Sequence, residues 1–289
     1  MKILNLEDGG YLKYEDEGSG RPMVLLHGWG MRSTFFKQQI AAFSPRFRVV
    51  VPDLRGHGQS SQLEEGHGLS TLVDDVAELL ARLDLSQAIV VGWSMGAMIS
   101  WALVRRKEAR RISALVSIDM VPRILNDESW TFGLREGRDA SVFSGAIDRM
   151  LADWPGFTRF FVPRIFAGGR ASERQALVDW IVEETENNHP ESMARLWKSI
   201  GNQDFRNDLA RQRLPALVTY GMLSQLYPPE ASEWVARNMP NARRVGFTNS
   251  GHAPHLEEPE LFNREIETFA EQTRIERSDG SGLRKSKSN

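Results

Sequence analysis

Five short apolar runs, at residues 23–26, 49–51, 88–91, 114–118 and 216–220, alternate with segments of helical periodicity. Apolar runs this continuous suit strands covered on both faces, and their alternation with helices implies βαβ units. The expected fold class is therefore α/β: a mostly parallel central sheet with helices on both faces. Residues 34–43, 72–83 and 95–106 carry the intervening helical pattern. In the second of these, Leu72, Val76, Leu79, Leu80 and Leu83 line one stripe, with Asp74, Asp75, Glu78 and Arg82 on the wet side. Residues 2–6 and 11–15, around Asp8-Gly9-Gly10, read as an antiparallel hairpin at the sheet edge.

The alternation stops after Ile118 and resumes at Leu214. Between them lie helical segments dense in Trp and Phe, including Trp130, Phe143, Trp154, Phe157, Phe161 and Trp197. The expected organisation is a core of residues 1–120 and 209–276, a helical lid inserted at 121–208, and a disordered polar tail at 277–289. The lid aromatics either pack among themselves or cover an apolar pocket, and sequence alone does not sort them.

Gly92-Trp93-Ser94-Met95-Gly96 follows one of the apolar runs directly and opens a helical segment. A sharp strand-to-helix turn of the G-x-S-x-G type lifts its serine hydroxyl above the sheet. Ser94 is thus the candidate nucleophile, although the same serine could simply cap the helix. Attack on a carbonyl needs donors for the developing oxyanion. The fold supplies one from the residue after the nucleophile, here Met95, and one from the loop His27-Gly28-Trp29-Gly30, where Trp29 is the expected donor.

The candidate base is His252 in Ser250-Gly251-His252-Ala253-Pro254, between an edge strand at 243–247 and the last helix. An imidazole can accept and return a proton near neutral pH. Of the six histidines, His255 is the near rival, while His27 and His57 sit in glycine turns that suit loop-shaping bonds. The acid is harder to place. The loop after residues 216–220 reads Gly221-Met222-Leu223-Ser224-Gln225, with Ser224 about where an aspartate belongs. Asp119, at the carboxyl end of the neighbouring strand, is the preferred replacement. Glu230 and Asp53 are weaker alternatives, the first better suited to opening a helix and the second to organising its own turn.

These segments, with Asp53-Leu54-Arg55-Gly56-His57-Gly58-Gln59-Ser60, resemble the α/β-hydrolase superfamily, specifically its lid-bearing bacterial serine esterases. Trp29 and Trp93 are also similar to a pair in the methyl esterases acting on pimeloyl-acyl-carrier protein, which keep an aspartate where this chain has Ser224. Ser117-Ile118-Asp119 instead resembles a smaller esterase subgroup whose acid follows the sixth strand. The resemblance implies hydrolysis of a small-molecule ester through an acyl-enzyme, with no metal and no organic cofactor. A lactonase or C–C hydrolase would use the same residues, and an inactive ligand-binding module is the reading of a different class.

A net charge of −2 favours neither nucleic acid nor an anionic membrane. The apolar runs are too short to span a bilayer. With no cysteine, a cytoplasmic location is expected. The oligomeric state is left open.

Overall fold

The computed structural model describes residues 1–135 and 140–282, so 136–139 of the expected insertion and 283–289 of the expected tail lie outside the described residues. Eight strands form one sheet: β1 Lys2–Asn5, β2 Tyr11–Glu17, β3 Arg21–Leu26, β4 Phe47–Pro52, β5 Ala88–Trp93, β6 Ile112–Ile118, β7 Ala216–Gly221 and β8 Ala242–Phe247. Their spatial order is β1-β2-β4-β3-β5-β6-β7-β8. The β1–β2 hairpin and the β2–β4 pair are antiparallel, and every pairing from β4 across to β8 is parallel.

Every residue of β5, β6 and β7 is buried. Helices therefore cover both faces of the sheet, as the nearly continuous apolar runs require. They are α1 Lys37–Phe43, α2 Leu69–Arg82, α3 Met95–Leu103, α9 Pro229–Asn238, α10 Pro254–Glu257 and α11 Pro259–Gly282. The chain leaves β3 for β4 on one side, then returns to lay β5 on the other. That reversal opens a crevice at the carboxyl ends of β3 and β5, the place where open α/β sheets hold their ligands.

Between β6 and β7 run α4 Ala140–Ala152, α5 Trp154–Phe161, α6 Gln175–Glu186, α7 Pro190–Gly201 and α8 Arg206–Arg211. The only strand-like pairing in that stretch, among the described residues, is the bridge Asp127–Trp130. Phe205 N–H donates to Pro122 O at 2.9 Å, so the segment leaves the sheet and returns to it at one point. At the other end of the chain, α11 continues through residues 277–282, where a polar tail was expected. No proline interrupts the helix after Pro259.

Candidate active site

Ser94 sits between β5 and α3 with φ 53° and ψ −119°, a backbone conformation that costs a non-glycine residue of order 1–3 kcal/mol. What forces it is how closely the helix approaches the sheet. A Cβ at Gly92 would stand 2.3 Å from Gly96 O, and one at Gly96 would stand 2.2 Å from Leu26 O. Only glycine fits at either place. Ser94 N–H donates to Ile118 O at 3.0 Å, while Ser94 O accepts from Ala97 N–H at 2.8 Å and starts the helix.

His252 lies between β8 and α10 and is 2% exposed. Its Nδ1 is 2.7 Å from Asp119 Oδ2, which fixes the ring proton on Nδ1 and leaves Nε2 as the basic nitrogen. The ring's surroundings are held from three sides. Trp93 Nε1–H donates to His252 O at 2.8 Å, and His252 N–H donates to Ile165 O at 2.8 Å. On the third side, Tyr227 stands edge-on to the imidazole with ring centroids 5.7 Å apart.

Asp119 follows β6 with φ 43°, and its N–H extends the ladder to Thr219 O at 2.8 Å. The sequence placed the candidate acid here, and here it meets the imidazole. Oδ2 also accepts from Ser224 Oγ–H at 2.7 Å. That second bond was missed at the sequence level: Ser224 stood out as a missing charge and not as a donor.

The rival residues are elsewhere. His255 is fully buried against Phe36, Trp93 and Phe262. Neither of its ring nitrogens has a hydrogen-bond partner among the described residues. Burial pushes its pKa down to about 3, with nearby His252 adding to the shift, so it stays neutral. Glu230 lies in the first turn of α9. Asp53 receives Ser33 N–H at 2.8 Å and Gln59 N–H at 2.9 Å, organising its own turn and the start of the earlier 3₁₀ turn Ser33–Phe36.

Two buried histidines brace the loop that carries Trp29. His27 Nε2 accepts from Leu54 N–H at 2.9 Å while its Nδ1 lies 2.8 Å from Gly28 O. His57 Nε2 accepts from Gly30 N–H at 3.1 Å while its Nδ1 lies 3.2 Å from Arg55 O. Each ring must keep one bare nitrogen to accept its backbone N–H, so each works as a neutral imidazole. Burial accordingly lowers their pKa values, to about 4 for His27 and about 3 for His57. The backbone N–H groups of Trp29 and Met95 donate to no protein acceptor among the described residues, which leaves both available to a ligand.

Gly28, Trp29, Trp93, Ser94, Tyr227 and His252 share one cavity with Leu134, Phe161, Ile165 and Trp197 from the β6–β7 segment. Its volume is about 20 Å³, enough for a single water. Ser94 Oγ–H points toward Met120 Sδ at 3.8 Å. Proton transfer to His252 would require that hydroxyl to turn to Nε2, and resting sites commonly hold such contacts loose.

A clasp beneath the site joins the β6–β7 segment to the histidine loop. Glu257 Oε1 accepts from Gly251 N–H at 2.7 Å and Oε2 from Ala167 N–H at 2.8 Å. Burial raises its pKa to about 7, and these two donors only partly offset that effect. A carboxyl whose folded pKa exceeds its unfolded one contributes stability that is full below pH 4.5 and is lost as pH rises through about 7. Glutamine cannot titrate, and its amide nitrogen cannot accept the second N–H. The stability penalty of Glu257→Gln is therefore expected to be on the order of 3 kcal/mol smaller at pH 8 than at pH 4.5. Denaturant melts of both proteins across that range check this, and a pH-independent difference refutes it.

A sequence model described as the alpha/beta hydrolase fold matches residues 21–259. The chain belongs to that family. Among curated relatives, it is 29% identical over 261 residues to the pimeloyl-[acyl-carrier protein] methyl ester esterase of Vibrio vulnificus (strain YJ016), covering 90% of this chain and 98% of that protein. Among solved structures, an esterase from Thermogutta terrifontis superposes with a TM-score of 0.83 at 26% identity, covering 94% of this chain and 99% of that one. An esterase from Exiguobacterium antarcticum superposes with a TM-score of 0.86 at 23% identity, covering 93% and 98%. This α/β-hydrolase thus superposes over more than nine-tenths of its length on two proteins named as esterases.

Proposed function

We propose that the protein is a serine hydrolase of carboxylic esters in which Ser94 is the nucleophile, His252 the general base and Asp119 the residue that orients and charge-balances the base. The observation that carries this reading is the 2.7 Å contact between His252 Nδ1 and Asp119 Oδ2, in a cavity that Ser94 also lines. His252 Nε2 takes the Ser94 proton as Oγ bonds to the ester carbonyl carbon. The carbonyl oxygen becomes an oxyanion held by the Trp29 and Met95 N–H groups. Collapse breaks the ester C–O bond, and the alcohol leaves with the proton from His252. Water, deprotonated by His252, then attacks the acyl-enzyme and releases the acid together with free Ser94.

The segment between β6 and β7 is read as a lid. Trp29 forms its anchor: the indole packs against Trp154, Phe157, Phe161 and Trp197 with ring centroids 5.1 to 6.1 Å apart, and its Nε1–H donates to Met193 O at 2.9 Å. Beyond lies a second, apolar pocket of about 60 Å³ that shares Leu134, Phe161, Trp197 and Leu226 with the cavity over Ser94. Displacing Phe161 and Trp197 would merge the two, and the merged space is the expected acyl site. An apolar acyl chain suits its walls of Phe143, Phe157, Phe160 and Leu226. The ester class also fits the relatives' named substrates. The cysteine-free composition leads us to place the reaction in the cytoplasm.

The test is a rapid-mix measurement with p-nitrophenyl esters from acetate to dodecanoate. A burst of p-nitrophenol near one equivalent per chain is expected, with the acyl group recovered by mass spectrometry on the peptide containing Ser94. The preferred chain length sizes the merged pocket. Turnover without an acylated Ser94, or no turnover on any ester, would sink the proposal.

A further inference from the structure

We infer that Ser224 is a positioning residue of this reaction, holding Asp119 in the rotamer that reaches His252. The inference rests on the triad reading above and adds a fourth member to it. Asp119 is 2% exposed, Ser224 5% and His252 2%, so the carboxylate lies away from water and must find its hydrogen-bond donors within the protein. It has two on one oxygen: His252 Nδ1 and Ser224 Oγ, each 2.7 Å from Oδ2.

The direction of the serine bond is set by a third group. Ser224 Oγ accepts from Tyr227 N–H at 3.4 Å. An N–H arriving on one lone pair leaves the hydroxyl proton to be given away, and the carboxylate is the acceptor within reach. The serine's own place is set by the strand ends. Its N–H donates to Gly221 O at 3.3 Å, closing the turn after β7. The two residues before it are tied to the far side of the site, Met222 N–H to Phe247 O at 2.9 Å and Leu223 N–H to Ser250 O at 3.0 Å. Ser224 is therefore pinned to the loop that carries His252, while Asp119 belongs to β6. The hydroxyl couples these two elements through the one oxygen the base uses.

The same geometry explains how a serine can occupy the usual place of the acid. Oγ of residue 224 and Nδ1 of His252 both touch a single Asp119 oxygen, so they are at most two hydrogen-bond lengths apart. A carboxylate grown from residue 224 would reach toward the imidazole that Asp119 now serves. The charge stands one strand over from the place the resemblance implies, with a hydroxyl at that place.

The experiment is steady-state kinetics on one p-nitrophenyl ester with Ser224→Ala, Ser224→Thr and the pair Asp119→Asn and Asp119→Asn/Ser224→Asp. For Ser224→Ala, kcat is expected to fall roughly 10- to 100-fold, the range for losing a hydrogen bond to a charged group, with KM within about twofold. Ser224→Thr keeps the hydroxyl and is expected to recover most of that loss. The far-downfield proton resonance of the His252–Asp119 bond should shift or broaden in Ser224→Ala and return in Ser224→Thr. The double variant is expected to exceed Asp119→Asn by at least about tenfold, because it restores a carboxylate beside the base. It also decides the matter should Ser224→Ala fail to fold. Wild-type kcat in Ser224→Ala, an equal loss in Ser224→Thr, or a double variant no better than Asp119→Asn would each overturn the inference. None of these touches the serine-hydrolase reading, which stands or falls on Ser94.

Discussion

Replacing Ser94 by alanine is expected to lower kcat on a p-nitrophenyl ester by roughly 10⁶-fold, the scale seen when a nucleophile of this kind is removed. The residual rate would come from the Trp29 and Met95 N–H groups and from binding. The substitution tests more than chemistry because Ser94 holds φ 53° and ψ −119°. Alanine keeps the Cβ and so keeps the strain, whereas glycine releases it. Ser94→Gly is thus expected to be as inactive as Ser94→Ala and about 1 kcal/mol more stable than it in denaturant melts. Equal stability of the two would mean that the turn is not strained. Retained turnover in either would remove Ser94 from the mechanism.

The second large effect is expected at Asp119, where asparagine should cost roughly 10⁴ in kcat with the fold intact. Asparagine accepts the left-handed backbone better than most residues, so φ 43° at position 119 is no obstacle. Its amide oxygen can still take the Ser224 hydroxyl. If its NH₂ faces His252 Nδ1, the ring proton is driven to Nε2 and the base is lost; if its oxygen faces the ring, the charge that balances the imidazolium is still gone. Alanine is the harsher change, leaving both His252 Nδ1–H and Ser224 Oγ–H without their buried acceptor. A melting curve for Asp119→Asn close to wild type, beside the collapse of kcat, is the expected pair of results. Activity within tenfold of wild type would assign the acid elsewhere.

The legible parts of this molecule are those where one residue type has one physical use. The runs at 88–91, 114–118 and 216–220 could be read because strands buried on both faces are mostly apolar, and they became β5, β6 and β7. The sharp turn at Ser94 could be read because two glycines flank it where only glycine fits. His27 and His57 were expected to shape loops, and each accepts a backbone N–H through one nitrogen. The helix expected across residues 34–43 is instead a 3₁₀ turn, Ser33–Phe36, followed by α1. Helical spacing over ten residues does not separate those two.

Contacts between residues far apart in the chain were beyond reach. Nothing in the local sequence tells that Ser224, 105 positions away, would donate to Asp119, or that Glu257 would join two loops. The aromatics of the β6–β7 segment have identical composition signals and different partners. Trp154, Phe157, Phe161 and Trp197 gather on Trp29, Trp130 meets Phe132 and Trp234, and Trp180 covers Phe35. Which wall each ring builds is decided by tertiary packing alone.

Trp29 ties two separate duties to one backbone position. Its indole is wedged under α5 and α7, and Gly30 O, one residue on, accepts Asn188 Nδ2–H at 2.7 Å from the turn between α6 and α7. In the proposed mechanism the same residue lends its N–H to the oxyanion. A movement of α5 and α7 large enough to admit an ester must pull on the loop that readies this donor, so entry and transition-state stabilisation would behave as a single coordinate. An inhibitor that props the helices apart would then disarm the enzyme without touching Ser94.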